Sequence, residues 1–153
     1  MSLEAILVEF VLRPALKKDF RKISGLIREA GINPTGLDWR RFVVAETADG
    51  QFAGCGQLKP HADGSLELAS LAVISSKRGQ GLARIIIHRL MGEAPRPLYL
   101  TCRAQLGSFY QKFGFRVASG DELPAYFKRI SRIGGLLNAL HIIEDKLLVM
   151  VVD

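Results

Sequence analysis

Cysteine is scarce in this chain. Cys55 and Cys102 are the only two in 153 residues, and both fall in runs that read as strands. Two cysteines cannot make a disulfide framework, and with so few histidines nearby they do not make a zinc site. We expect buried thiols in a reducing cytoplasm and no bound metal. Long apolar runs are also missing: Glu9, Glu67 and Glu144-Asp145 interrupt the longest ones, so no membrane span is expected. No basic stretch followed by a long apolar one opens the chain, which argues against a signal peptide. There is no internal repeat and no linker, so residues 1–153 are expected to form a single domain.

What is present is ordinary globular composition with 48% hydrophobic residues and a net charge of +6. That charge suits an anionic ligand. The basic residues are scattered, and no strand face interleaves them with aromatics, so a nucleic-acid partner is not expected.

The periodicities give an order of elements. Ile6 to Arg13 reads as a first strand ended by Pro14. Leu16, Phe20, Ile23, Ile27 and Ala30 recur at helical spacing, with Gly31 as the cap. Phe42 to Glu46 and Gln51 to Leu58 flank an Asp49-Gly50 turn, a hairpin signal. Gly54 and Gly56 in its second arm indicate a bulge or a close approach of other backbone. After the Asp63-Gly64 turn, Ser65 to Ile74 is a strand. A helix from Leu82 to about Gly92, a strand Leu98 to Cys102, a helix Leu106 to Phe113 and a strand from Phe115 follow. Asp121 to Ile142 reads as two short helices broken at Gly134-Gly135, and Lys146 to Val152 closes the chain. This order predicts an α/β (α+β) domain of three layers, with a mixed, mostly antiparallel sheet flanked by helices.

Between the strand Ser65–Ile74 and the next helix lies Arg78-Gly79-Gln80-Gly81-Leu82-Ala83. A strand, a glycine loop and a helix N-terminus together make an anion site, because exposed backbone N–H groups and the helix dipole converge there. The nucleoside-triphosphate loop needs Lys-Ser/Thr after its last glycine, and Gly81 is followed by Leu82-Ala83. The dinucleotide fingerprint needs a third glycine, and Arg84 stands in its place. A third pattern, Arg/Gln-x-x-Gly-x-Gly/Ala, is filled by Arg78, Gly81 and Ala83.

That loop resembles the coenzyme pyrophosphate loop of the GCN5-related N-acetyltransferase (GNAT) superfamily. Downstream, Phe109-Tyr110-Gln111-Lys112-Phe113-Gly114-Phe115 is similar to the family's aromatic-Tyr-x-x-x-Gly-Phe signature. The resemblance runs from about Val8 to Val117. It implies a GNAT-like fold and acetyl-coenzyme A as co-substrate. It also implies direct transfer of the acetyl group to a primary amine on a small molecule or a protein, through a ternary complex. A catalytically silent acyl-coenzyme A-binding sensor is the alternative.

On the same resemblance, Arg78, Gly79, Gln80, Gly81, Leu82 and Ala83 hold the pyrophosphate. The backbone of Leu71, Ala72 and Val73 bonds the pantetheine arm, with the Val73 N–H as oxyanion donor. Glu67 matches the glutamate base of the histone-acetyltransferase branch. Tyr110 matches the family's tyrosine acid, with Phe109 beside it. Arg103 stands where the family often has Asn; it could contact the coenzyme or form a surface ion pair. His61, a loop residue beside Pro60, reads as solvated rather than as a base, and His88 and His141 receive no role. The acceptor walls would come from residues 33–41 and 123–140, with Asp38, Trp39, Tyr126 and Arg129 as candidates. The partners expected are acetyl-coenzyme A and an amine acceptor, with a homodimer left open.

Overall fold

A computed structural model describes all residues from 1 to 153. The chain divides into two compact units, one of residues 1–59 and 68–94 and one of residues 60–67 and 95–153.

The first unit opens on α1 (Leu3–Glu9), where a strand was expected from Ile6. The Ser2 hydroxyl accepts the Ala5 N–H, and Glu4 sits in the first turn. The β-branched run is overridden by this cap and by the burial of Ile6, which is 1% exposed. The strand is confined to β1 (Phe10–Pro14). Then come α2 (Phe20–Glu29), β2 (Phe42–Thr47), β3 (Phe52–Pro60), β4 (Leu66–Val73) and α3 (Leu82–Glu93). β1 and β3 both pair with β2 antiparallel.

Strand alternation sends neighbouring residues to opposite faces. Cys55 packs with Phe42 and Val44 of β2 and with Ile23, Leu26 and Ile27 of α2. Gly54 and Gly56 point the other way, toward Ile86 and Leu90 of α3. A Cβ at Gly54 would lie 2.8 Å from the Ala72 carbonyl oxygen, and one at Gly56 would lie 2.9 Å from Ile86 Cγ2. Both glycines therefore mark close approach. The ladder's bulge also lies on β3: Ala45 pairs with Gly54 and Glu46 with Phe52, so Ala53, next to Gly54, is the extra residue.

The second unit holds the start of β4, β5 (Leu98–Arg103), α4 (Gly107–Gln111), β6 (Arg116–Ala118), α5 (Ala125–Ala139) and β7 (Leu147–Val152). Glu67 of β4 pairs in parallel with Tyr99, while β7 pairs antiparallel with both β5 and β6. The seven strands hydrogen-bond in the order β1-β2-β3-β4-β5-β7-β6, a mixed sheet of largely antiparallel pairs. On one face of β7, Val149 and Val151 join Tyr99 and Phe127 of α5 in a core cluster. Leu148, on the other face, contacts Gly107 of α4.

α5 runs unbroken through Gly134-Gly135, where two helices were expected. Gly134 is kept by packing: a Cβ there would meet Leu147 at 3.1 Å. The helix thus spends some helical propensity to let β7 come close.

Candidate functional site

The glycine loop belongs to the first unit. β4 ends at Val73, a short turn spans Ser75–Lys77, and Gly79 and Gly81 follow at φ +75° and +87°. Those backbone angles are open to glycine and costly to other residues. Gly81 is the N-cap of α3, and no side chain caps that end. The first N–H groups of α3, from Leu82 onward, therefore have no intrahelical acceptor and point out of the helix. Arg78 is exposed and donates from Nε to the Val73 carbonyl at 3.2 Å. That bond moors the guanidinium beside the strand end, leaving its terminal nitrogens for an anion. Gln80 turns back, donating to the Ser76 carbonyl at 3.4 Å. Of the residues expected to hold a pyrophosphate, Arg78 to Ala83 form one continuous feature, with Leu82 packed into the core.

Just before Leu71, Ala72 and Val73, β4 bends. Ser70 adopts φ +56°, a left-handed conformation unusual for a residue with a side chain. Gln57 is fully buried and donates from Nε2 to Ser70 Oγ at 2.8 Å, and the Cys55 thiol contacts the Ser70 carbonyl.

The second unit contains a different cluster, which the sequence did not disclose. Glu67 is buried, and its Oε2 lies 2.7 Å from His61 Nε2. Side-chain exposure is 7% for His61 and 8% for Glu67. This corrects the expectation of a solvated His61. Its ring stacks on Tyr126 of α5 with centroids 3.5 Å apart, and Phe127 meets it edge-on at 5.6 Å. Glu67 Oε1 is 3.4 Å from the Thr101 hydroxyl on β5. Asp63 accepts the Tyr126 N–H at 2.9 Å and the Ser65 N–H and hydroxyl. These bonds hold its carboxyl low, at about 2, so it stays charged. Arg129 lies over the Tyr126 ring, 5.9 Å from its centroid.

One signal for this pair was available. His61 and Glu67 straddle the Asp63-Gly64 turn, and the His61 N–H bonds the Ser65 carbonyl. Residues 65 and 67 share a strand face, so Glu67 is a diagonal neighbour of His61.

Tyr110 is buried in α4 between Phe109 and Phe115, with ring centroids 5.1 and 6.2 Å away. Burial pushes its phenol up to about 12. Phe109 also packs on Phe113. Arg103 is exposed at the end of β5, 3.9 Å from Asp145. Asp38 caps a short turn by accepting the Arg40 N–H, and Trp39 carries the Arg40 guanidinium over its ring. Among the candidate wall residues, Tyr126 and Arg129 thus join the His61 cluster. Asp38 and Trp39 are engaged locally in the first unit.

A family profile described as acetyltransferase (GNAT) domain matches residues 38–117, just over half of the chain. No curated protein matches the chain. Among solved structures, an N-acetylglutamate synthase from Neisseria gonorrhoeae complexed with coenzyme A and N-acetyl-glutamate is 26% identical at a TM-score of 0.69, over 94% of this chain. The same synthase complexed with coenzyme A and L-arginine superposes at a TM-score of 0.71, with 24% identity over 92% of this chain. The chain spans only about a third of that synthase's length, 32% and 35% in the two structures. Rv2747 from Mycobacterium tuberculosis, in a complex that includes CoA, is 23% identical at a TM-score of 0.69. There the match covers 94% of this chain and 99% of the other.

Proposed function

The chain belongs to the GNAT acetyltransferase family, and on that premise we propose that it transfers the acetyl group of acetyl-coenzyme A directly to a primary amine. The acceptor is a small molecule or a protein or peptide amine, bound with the coenzyme in a ternary complex.

The observation that carries this reading is the uncapped start of α3 at Gly81, with left-handed Gly79 before it and Arg78 moored alongside. Backbone N–H donors, a helix dipole and a fixed cation suit the pyrophosphate of the coenzyme. The structures complexed with coenzyme A among the similar proteins support the same ligand. The backbone of Leu71 to Val73 takes the pantetheine arm, and the Val73 N–H faces the developing oxyanion. Phe109 and Arg103 are assigned to the coenzyme side.

Two groups carry the protons. The base function centres on Glu67, whose buried carboxylate is held by His61. The acid is Tyr110, whose phenol stays protonated across the neutral range. Direct transfer is favoured over an acetyl-enzyme, since burial pushes the Cys55 and Cys102 thiols up to about 12 and about 11.

The test is thiol release from acetyl-coenzyme A against spermidine, tyramine, L-glutamate, L-lysine and a short peptide with a free N-terminus, alongside coenzyme binding by thermal shift. We expect binding and release with one acceptor class. Arg78→Ala should weaken coenzyme binding about tenfold, the worth of one charge-assisted contact. Binding without release on any amine would favour the sensor, and absence of binding would overturn the loop assignment.

A further inference from the structure

We propose that His61 is the catalytic base of the transfer and that Glu67 is its positioning partner, the two working as a dyad. This rests on the function proposed above and divides the labour of its base.

Geometry separates the two roles. Both carboxylate oxygens of Glu67 are occupied, Oε2 by His61 at 2.7 Å and Oε1 by Thr101 at 3.4 Å. Each oxygen thus has a partner already, and with its side chain only 8% exposed the carboxylate is less open to a substrate amine than a free one. The imidazole spends only Nε2 on Glu67, and Nδ1 makes no hydrogen bond within the protein. With Glu67 ionised, the carboxylate accepts from Nε2–H, and a neutral ring then carries its lone pair on Nδ1. Tyr126 stacked on one face and Phe127 against the edge fix the plane of the ring. A carboxylate that orients an imidazole and stabilises the imidazolium formed in the reaction is the arrangement used to activate nucleophiles elsewhere.

The chemistry favours the same assignment. An alkylammonium releases its proton near ~10, a free carboxyl near ~4.3 and a free imidazole near ~6.5. Imidazole is therefore the better-matched acceptor by about two units before any partner is considered. The charged and titratable groups near the ring are Glu67 from β4, Asp63 from the turn, and Tyr126 from α5 with Arg129 over it.

The proton balance is complete. Nδ1 of His61 takes one proton from the substrate ammonium, and the free amine attacks the thioester carbonyl. The C–N bond forms, the C–S bond breaks, and the second amine proton goes to the departing thiolate, directly or through Tyr110. His61 then returns its proton to solvent, leaving amide, free thiol and one released proton.

Two measurements on the full-length protein test this. In imidazole ¹⁵N spectra recorded without ligand, we expect His61 as the Nε2–H tautomer, with that preference lost in Glu67→Ala. An Nδ1–H tautomer, or no dependence on Glu67, overturns the dyad whether or not any amine is turned over. In kinetics with the panel amine turned over fastest, His61→Gln should lower kcat/KM about 100-fold near pH 7. The deficit should shrink toward pH 10, where the amine is already deprotonated, and coenzyme affinity should stay unchanged. His61→Asn is the second variant should the first fold poorly. His61→Gln/Glu67→Ala should be no slower than the slower single variant, as expected of groups acting as a unit. A deficit independent of pH, or losses that multiply, would make His61 merely structural. Turnover of no panel amine by wild type, with the tautomer as expected, would instead defeat the proposed function, and the base with it.

Discussion

A Cβ placed on Gly81 would sit 2.4 Å from Ile6 Cδ1 and 3.1 Å from Ile6 Cγ1. The left-handed cap of α3 is thus also the notch into which α1 packs its one buried side chain. Gly81→Ala should therefore weaken the protein itself as well as any coenzyme binding. The backbone conformation alone costs about 1–2 kcal/mol for a residue with a side chain. Displacing Ile6 adds to this. Pairing the variant with Ile6→Ala isolates the steric part: denaturant melts should show the double variant less destabilised than the sum of the singles. Strict additivity would mean that Ile6 does not read the missing Cβ.

This notch also explains what could be read from the sequence and what could not. The loop was legible because its determinants are local: a run of strand, two glycines and a helical period, all within about 25 residues. The turns at Gly50 and Gly64 were legible for the same reason, and both adopt positive φ. Residues 6–9 were read as strand because Ile6-Leu7-Val8 favours one locally. What decides the helix is the Ser2 cap and a contact with Gly81, some 75 positions away. Gly134-Gly135 was read as a break because glycine weakens a helix, while the need for space came from Leu147 on β7. The His61–Glu67 pair was hidden because its burial depends on Tyr126 and Phe127, which arrive from a distant helix.

As the acid, Tyr110 should donate a hydrogen bond to the departing thiolate and pass a proton on only in concert with taking one up, never resting as a phenolate. Burial sets its phenol at about 12, above the ~8.5 of a free thiol, so full transfer to the thiolate is uphill. Removing one donor to a developing charge costs about 1.5–3 kcal/mol. Tyr110→Phe should therefore lower kcat about 10- to 100-fold and leave coenzyme affinity in place. The group is protonated below about 12 and loses its proton only as pH rises through that value. A kcat profile taken to pH 10.5 should then show no alkaline fall belonging to this residue. A fall centred near 10 that disappears in Tyr110→Phe would contradict it.

A second buried carboxylate serves stability. Asp19 is 5% exposed and accepts a two-pronged bond from Arg13, 2.7 and 3.0 Å, as well as the Leu16 N–H at 2.7 Å. Arg13 also binds Glu46. The Arg13 guanidinium holds the Asp19 carboxyl below its ordinary range. A depressed folded-state value means the stabilisation is complete above about 3.9 and drains away as pH falls through the lowered value. Asp19→Asn should cost about 2–3 kcal/mol at pH 7, since Arg13 then keeps only one carboxylate partner, Glu46, and remains partly solvated. The gap between variant and wild type in urea midpoints should narrow progressively as pH falls below about 3.9. A constant gap down to pH 2 would show that the ion pair is not its source.

The two thiols offer a check on direct transfer that needs no acceptor. Cys55 is fully buried and its thiol stands at about 12, while Cys102 stands at about 11. Only the thiolate attacks a disulfide reagent or a thioester. At pH 8 a free cysteine near 8.5 is about one-quarter thiolate, whereas one near 11 is about 0.1% thiolate. Native protein should therefore react with an aromatic disulfide on the order of 10²-fold slower than unfolded chain at Cys102, and slower again at Cys55. Intact-mass spectra after incubation with acetyl-coenzyme A should show no added acetyl group. A rapid native thiol, or an acetylated cysteine that turns over with an amine, would replace the ternary complex with a covalent intermediate.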